Sequence, residues 1–270
     1  MAESKHPGTA LITGASSGIG AIYADRLARR GYDLVLVARR RERLEASAAR
    51  IQAETGRAVN VLVADLNDRK DVARVEVALR CDASLSLLVN SAGTASASPL
   101  LNSDVDRMEE MIGLNVTALT RLTYAAVPGF VARHKGTIVN IASVVGVAPE
   151  LLNGVYGATK AFVIAFSRSL RHELAGEGIR IQAVLPGATV TELWENAGAP
   201  IASLPQEVQE GFMSAADMVE ASLAGLDRGE WVTIPSLPEA ADWDAYEAAR
   251  QVLLPNLSRA KPAGRYRVPT

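Results

Sequence analysis

Tyr156 and Lys160 stand four residues apart in Tyr156-Gly157-Ala158-Thr159-Lys160, a spacing that puts both on one face of a helix. A free phenol has a pKa of about 10, too high for easy proton exchange at neutral pH. A neighbouring ammonium favours the phenolate and lowers that value. General acid–base chemistry is most efficient when the pKa lies near the working pH. Ser143, upstream at the end of a predicted strand, carries a hydroxyl that can hydrogen-bond a substrate oxygen. Tyrosine–lysine pairs are common on exposed helices, so this constellation gains meaning only from what else the chain carries.

The other half is the turn Thr13-Gly14-Ala15-Ser16-Ser17-Gly18-Ile19-Gly20, which follows a predicted strand, Thr9 to Thr13, and opens a predicted helix, Ile19 to Arg30. Such a turn aims free backbone N–H groups and the positive helix end at a pyrophosphate. Gly14 permits the tight turn, Gly18 lets the backbone approach the phosphates, and Gly20 lets helix and strand pack closely. Ser16, Ser17 and Ile19 lie in the same loop. The strand and helix flanks are those that a dinucleotide-binding turn requires. A bound nicotinamide cation beside Tyr156 would lower the phenol pKa further.

The second predicted strand ends in Ala38-Arg39-Arg40-Arg41, with no acid between Leu34 and Arg41. An acid there would bind a ribose 2′-hydroxyl; an arginine fork matches a 2′-phosphate. NADP is therefore expected over NAD, with Arg39 as the main clamp and Arg40 as the second. The competing reading is a solvated helix start. Asp65 and Leu66, after the third strand, are placed to touch the adenine. Asn90, Ala92 and Gly93, in the small-residue turn after the fourth, would let the cofactor lie across the strand ends.

The elements that must position these groups alternate strand and helix. Asp33 to Ala38 is a continuous apolar run of the kind buried on both faces of a parallel sheet. The alternation predicts an α/β fold, a Rossmann-type doubly wound parallel sheet with helices on both faces, in a single domain over 1–270. Val105 to Phe130 is expected as one long helix. Residues 188–215 mix glycine, proline and apolar residues and read as a mobile substrate loop, and 255–270 as a C-terminal tail. Of 270 residues 49% are hydrophobic, ample for a large core, and the net charge of −2 gives no field to attract nucleic acid or membrane. One cysteine, Cys81, allows no internal disulfide and fits a reducing compartment. With His6, His134 and His172 scattered, no metal site is expected. No signal-like or membrane-spanning apolar run is present, and a cytoplasmic location is expected.

Taken together, the sequence resembles the short-chain dehydrogenase/reductase family in its shorter single-domain branch. The likeness covers about Thr9 to Thr191. It rests on the glycine turn, the Asn-Ser-Ala-Gly turn, Asn115 in Leu114-Asn115-Val116, Ser143, the Tyr156/Lys160 pair, and Pro186-Gly187 followed by Val190-Thr191. Ser91 departs from the asparagine more usual in the family. The resemblance implies a tetrad of Asn115, Ser143, Tyr156 and Lys160. Tyr156 would exchange the proton as hydride moves, Ser143 would polarise the substrate oxygen, and Lys160 would bind the nicotinamide ribose. Asn115 would hold a water for proton relay. Pro186 and Gly187 would contact the nicotinamide, with Thr189 beside them and Thr191 on its amide. It further implies a homodimer or homotetramer built on the long helices.

Val145, Leu151, Leu152, Leu193 and Trp194, with Ser143, are the candidate substrate contacts. No arginine or lysine occurs between Thr189 and Arg228, which favours a neutral, partly apolar ketone, aldehyde or alcohol. A non-catalytic NADP(H)-binding regulator is the alternative reading.

Overall fold

The computed structural model describes residues 6–266. Its strands are β1 (Thr9–Thr13), β2 (Asp33–Ala38), β3 (Val59–Val63), β4 (Leu85–Asn90), β5 (Gly136–Ile141), β6 (Ile179–Val184), β7 (Thr189–Val190), β8 (Met213–Ser214) and β9 (Val232–Thr233). Its helices are α1 (Gly18–Arg29), α2 (Arg41–Thr55), α3 (Arg69–Cys81), α4 (Val105–Ile112), α5 (Leu119–Ala132), α6 (Gly154–Glu173), α7 (Leu193–Asn196), α8 (Gln206–Glu210), α9 (Ala215–Asp227) and α10 (Ala240–Leu253).

Seven strands form one parallel sheet in the order β3-β2-β1-β4-β5-β6-β9. This is the doubly wound arrangement expected from the sequence. Every residue of β1, β4 and β5 is buried, as continuous apolar strands require. One face packs Tyr23 and Leu27 of α1, Ile51 of α2 and Met218 of α9. The other packs Val75 of α3, Leu122 and Phe130 of α5, and Leu170 of α6. Burying each such side chain contributes about 1.5–3 kcal/mol. The chain runs outward from β1 through β2 to β3, then returns to β4 on the opposite side of β1. That reversal opens a crevice at the carboxyl ends of β1 and β4.

Two polar devices lock the layers. Asn90 on β4 pairs in register with Asn140 on β5, and its amide donates to Asn140 Oδ1 at 2.9 Å and to Thr123 Oγ1 at 3.2 Å. Asn140 in turn donates to Ser167 Oγ on α6 at 2.9 Å. On the other face, the buried Asp25 of α1 accepts from Arg26, Arg29 and Arg50, joining α1 to α2. Burial opposes the charge, but the three guanidiniums outweigh it and hold the carboxyl at about 2. A depressed folded-state pKa stabilises above the unfolded value near 3.8 and is lost as pH falls through about 2. Asp25→Asn is therefore expected to destabilise the fold by about 2 kcal/mol at pH 7. Urea unfolding should show the gap closing toward the acid limb.

One feature differs from the sequence reading. The run expected as one helix is α4 and α5 joined by a π-helical turn, Gly113–Ala118. The chain divides into two compact units, one through Pro235 that carries the sheet and one from Ser236. The second holds α10, which buries none of its side chains. The segment 188–215, expected as a loop with short helices, holds β7, α7, α8 and β8, and β7 pairs with β8 in parallel. Of the expected tail, 267–270 lie outside the described residues.

Candidate active site

At the β1/β4 reversal lies a cleft of about 520 Å³. Gly14, Ser16, Ser17, Gly18, Ile19 and Gly20 line it from the glycine turn, and Arg39, Arg40, Asp65 and Leu66 from the ends of β2 and β3. Ala92 and Gly93 line it after β4; Ser143, Tyr156, Lys160, Pro186, Gly187, Thr189 and Thr191 complete one wall. The substrate candidates Val145, Leu151, Leu152, Leu193 and Trp194 line the same cleft. Asn90 does not reach it. Its side chain is turned inward onto Asn140 and Thr123, because register with β5 directs it into the sheet.

The glycine turn has the shape of an anion cradle. Gly14 sits at φ +69, a conformation that favours glycine, and a Cβ on Gly20 would come within 2.5 Å of the Gly14 carbonyl oxygen. Ser17 caps α1 without a side-chain bond, and the first turn of α1 holds no acid. Its N–H groups and positive end therefore face the cleft with no charge partner of their own. Thr13 Oγ1 accepts from the backbone N–H groups of Ser91 and Ala92, each at 3.0 Å, so the turns after β1 and β4 are stapled together. The residues present thus fit a dinucleotide.

Tyr156 and Lys160 lie in α6, whose N-terminus is capped by Asn153. The Asn153 side chain accepts from Val155 N at 2.9 Å and Tyr156 N at 3.4 Å. Its amide donates to Ser98 O at 2.6 Å, tying the helix start to the loop after β4. Ser143 hydrogen-bonds the Tyr156 hydroxyl, and its own hydroxyl contacts Pro186 O at 3.3 Å. The two side chains meet because β5 ends at Ile141 and α6 folds back across it.

The electrostatics correct one expectation. Burial pushes the Tyr156 phenol up to about 12, with only the Ser143 hydrogen bond opposing. The expected lowering by lysine does not appear: desolvation of the phenolate sets the direction in this apolar wall. Burial also pulls the Lys160 ammonium down to about 8. Lys160 Nζ donates to Ile141 O at 2.9 Å and lies 5.7 Å from the Tyr156 ring centre. Burial thus favours the protonated phenol throughout the neutral range.

Asn115 sits in the π-helical turn and does not line the cleft directly. Its Oδ1 accepts from Thr94 N at 2.9 Å, and its Nδ2 donates to Thr94 O at 2.9 Å and Thr159 Oγ1 at 3.1 Å. The Thr159 hydroxyl donates in turn to the Tyr156 backbone carbonyl at 2.8 Å. These bonds draw the turn toward α6, and π turns of this sort concentrate at functional sites.

Around Tyr156 packs an apolar cluster of Ala95, Met111, Val145 and Ala197, with Leu152 and Leu193 against it. Trp194 is pinned by Nε1–H donating to Thr189 O at 3.0 Å and by an edge contact with Phe212. Leu151 is exposed at the mouth. Sequence reading missed Thr94, Ala95, Ala197 and Glu192, all cleft-lining. None has a motif; each arrives there through tertiary packing. Of the two predicted clamps, Arg39 lies 3.9 Å from Asp65, while Arg40 lies over the turn, donating to Ser17 Oγ at 2.6 Å.

Sheet order, reversal crevice and cradle define a doubly wound, dinucleotide-binding type of fold. Comparison with known proteins is more specific. Residues 8–201 match the family described as short chain dehydrogenase. The very-long-chain 3-oxoacyl-CoA reductase of Anas platyrhynchos is 36% identical over 189 residues, 68% of this chain and 60% of the relative. Among solved structures, a short-chain dehydrogenase from Sphingobium yanoikuyae in complex with NADPH is 52% identical, with a TM-score of 0.92 over 96% of this chain and 100% of that one. The bulky-bulky ketone specific alcohol dehydrogenase from Comamonas testosteroni is 44% identical, with a TM-score of 0.88 over 97% of this chain and 99% of that one. This chain belongs to the short-chain dehydrogenase/reductase family. Among the described residues, no helix is long and apolar enough to cross a membrane.

Proposed function

We propose that this protein is an NADP(H)-dependent oxidoreductase that interconverts a neutral, bulky and largely apolar ketone with its secondary alcohol. The observation that carries the reading is the convergence, in one cleft, of a buried Ser143–Tyr156 pair with an uncapped helix end and the arginines after β2. The NADPH bound by the Sphingobium relative and the ketone class named for the Comamonas enzyme agree with it.

When bound, the nicotinamide cofactor supplies or accepts the hydride. The glycine turn and the α1 N-terminus would hold its pyrophosphate, and Arg39 and Arg40 its 2′-phosphate. Asp65 and Leu66 flank the adenosine end, and Pro186, Gly187, Thr189 and Thr191 the nicotinamide end. Ser143 donates to the carbonyl oxygen and fixes its position. Tyr156 gives that oxygen its proton as negative charge develops, and takes it back in the reverse direction. Lys160 keeps a positive charge close to the phenol, and Asn115 holds the approach between α6 and the β4 turn. Val145, Leu152, Leu193 and Trp194 exclude water and select apolar flanks, with no cationic side chain among them to anchor a substrate carboxylate.

The test is turnover of NADPH and of NADH with a panel of aliphatic, aryl and doubly substituted ketones. NADPH consumption with bulky ketones supports the reading, and consumption of neither cofactor by any of them sinks it. Gly20→Ala, which forces a Cβ against Gly14 O, is expected to lower dinucleotide affinity at least about tenfold in equilibrium titration. The proposed assembly is a homodimer or homotetramer that uses α5 and α6, where exposed Tyr124 and Phe162 stack with Phe166.

A further inference from the structure

Glu192 follows Thr191 where the substrate segment leaves β7, yet its side chain ends on the far side of the cleft. Oε2 accepts from Arg40 Nη1 at 2.7 Å, and Oε1 from Arg43 Nη1 at 2.6 Å. The opposite edge of the Arg40 guanidinium faces the glycine turn, with Nε and Nη2 at 3.3 and 3.2 Å from Ser16 Oγ and Nη2 at 2.6 Å from Ser17 Oγ. Thr191 is carried close to the same turn, since a Cβ on Gly18 would meet its methyl at 3.3 Å. One carboxylate thus joins three separate elements: the glycine turn through Arg40, the start of α2 through Arg43, and the substrate segment itself.

We propose that Glu192 is a specificity-determining, positioning residue for the cofactor's 2′-phosphate, acting through Arg40 and Arg43. This rests on the NADP reading given above. Glu192 occupies one edge of Arg40 and leaves the Nε/Nη2 edge, now on two serine hydroxyls, for the phosphate. Those hydroxyls accept from Arg40, so their own protons are free to be donated to a phosphate oxygen. Both Arg40 and Arg43 are long, half-exposed side chains that would otherwise sample many rotamers. Fixing them before the ligand arrives removes an ordering cost that binding would carry.

The charges agree with joint occupancy. Arg39, Arg40 and Arg43 bring three positive charges to this corner. Glu192 and Asp65, the latter 3.9 Å from Arg39, answer two of them, and a 2′-phosphate brings about two negative charges at neutral pH. A dinucleotide lacking the phosphate leaves one net positive charge unanswered at this corner, so the arrangement discriminates by charge as well as by shape. The two guanidiniums, Arg40 first, hold the Glu192 carboxyl below the usual carboxylate range, which keeps it ionised at working pH.

The experiment is isothermal titration of wild type and Glu192→Gln with NADPH, NADH, 2′,5′-ADP and 5′-AMP. Glu192 is half-exposed and the substitution is isosteric, so the variant should fold. The expected result is that E192Q loses about five- to tenfold in affinity for NADPH and 2′,5′-ADP, with affinity for NADH and 5′-AMP unchanged. Three outcomes overturn the proposal. Tighter NADPH binding by E192Q would mean that the carboxylate competes with the phosphate. An equal loss for NADH would mean a general strap over any dinucleotide. Unchanged NADPH affinity would mean a surface ion pair without function. A wild type that binds NADPH no better than NADH overturns the cofactor reading itself, and this inference with it.

Discussion

Tyr156→Phe is expected to lower the turnover number by about 10²–10⁴-fold, the range carried by a positioned general acid. The substitution removes one hydroxyl from a side chain that is 6% exposed and leaves the ring packed against Val145 and Ala197. NADPH affinity should persist, because the cradle at the α1 N-terminus is untouched. The pH behaviour follows from the phenol's elevated pKa. In the direction of ketone reduction the protonated phenol is the competent form. Its pKa of about 12 keeps it protonated, so the rate should not fall across the neutral range on its account. In the direction of alcohol oxidation the phenolate is required, and the rate should climb with pH. The climb should begin below 12, because a bound cationic ring adds a positive charge that favours the phenolate. Paired pH–rate profiles in the two directions check this. A variant that keeps wild-type turnover would remove the phenol from the chemistry.

Lys160→Met is expected to abolish activity while making the fold more stable at neutral pH. The Lys160 ammonium is buried, and its pKa of about 8 lies below the ordinary 10.5 because burial penalises the charged form. Below about pH 8 both folded and unfolded chains hold the proton, and the folded state carries the full penalty, about 3 kcal/mol. Between about 8 and 10.5 the unfolded chain binds more protons, so wild-type stability should rise with pH. Methionine removes the penalty but leaves the Ile141 carbonyl without its donor, a loss of about 1–2 kcal/mol. The net gain at pH 7 should be about 1–2 kcal/mol, and the rise toward pH 10 should flatten. Denaturant unfolding at both pH values measures it. A less stable variant at neutral pH would show that the ammonium is better solvated than its burial implies.

The strands and the cradle were readable in the chain because their causes are local. Asp33–Ala38 follows from a largely apolar run that suits a buried strand, and the glycine turn announces itself by Gly14 after β1 with Gly18 and Gly20 in the first turn of α1. The π-helical turn at Gly113–Ala118 was not readable. Its signal is the bonding of Asn115 to Thr94 and Thr159, contacts that helical periodicity does not encode. The elevated phenol pKa was missed for a related reason. An i, i+4 spacing shows that a lysine is near, but not that both groups are stripped of water. Asn90 was assigned to the cleft from its place in a turn motif, whereas strand register decides which way it points. Glu192 lies far along the chain from Arg40 and Arg43, and no local pattern links them.

The short parallel ladder of β7 and β8 brings the chain back, Thr189 against Met213 and Val190 against Ser214, to the point from which it departed. Everything between hangs from that pair of anchors, and Ser214 is itself the N-cap of α9, its hydroxyl accepting from Asp217 N at 3.0 Å. The stretch after Glu192, proposed above to face the substrate, is therefore expected to behave as an exchangeable cassette. Grafting the corresponding stretch of a relative between the same anchors should transplant its substrate preference while the seven-stranded frame and its nucleotide cradle stay in place.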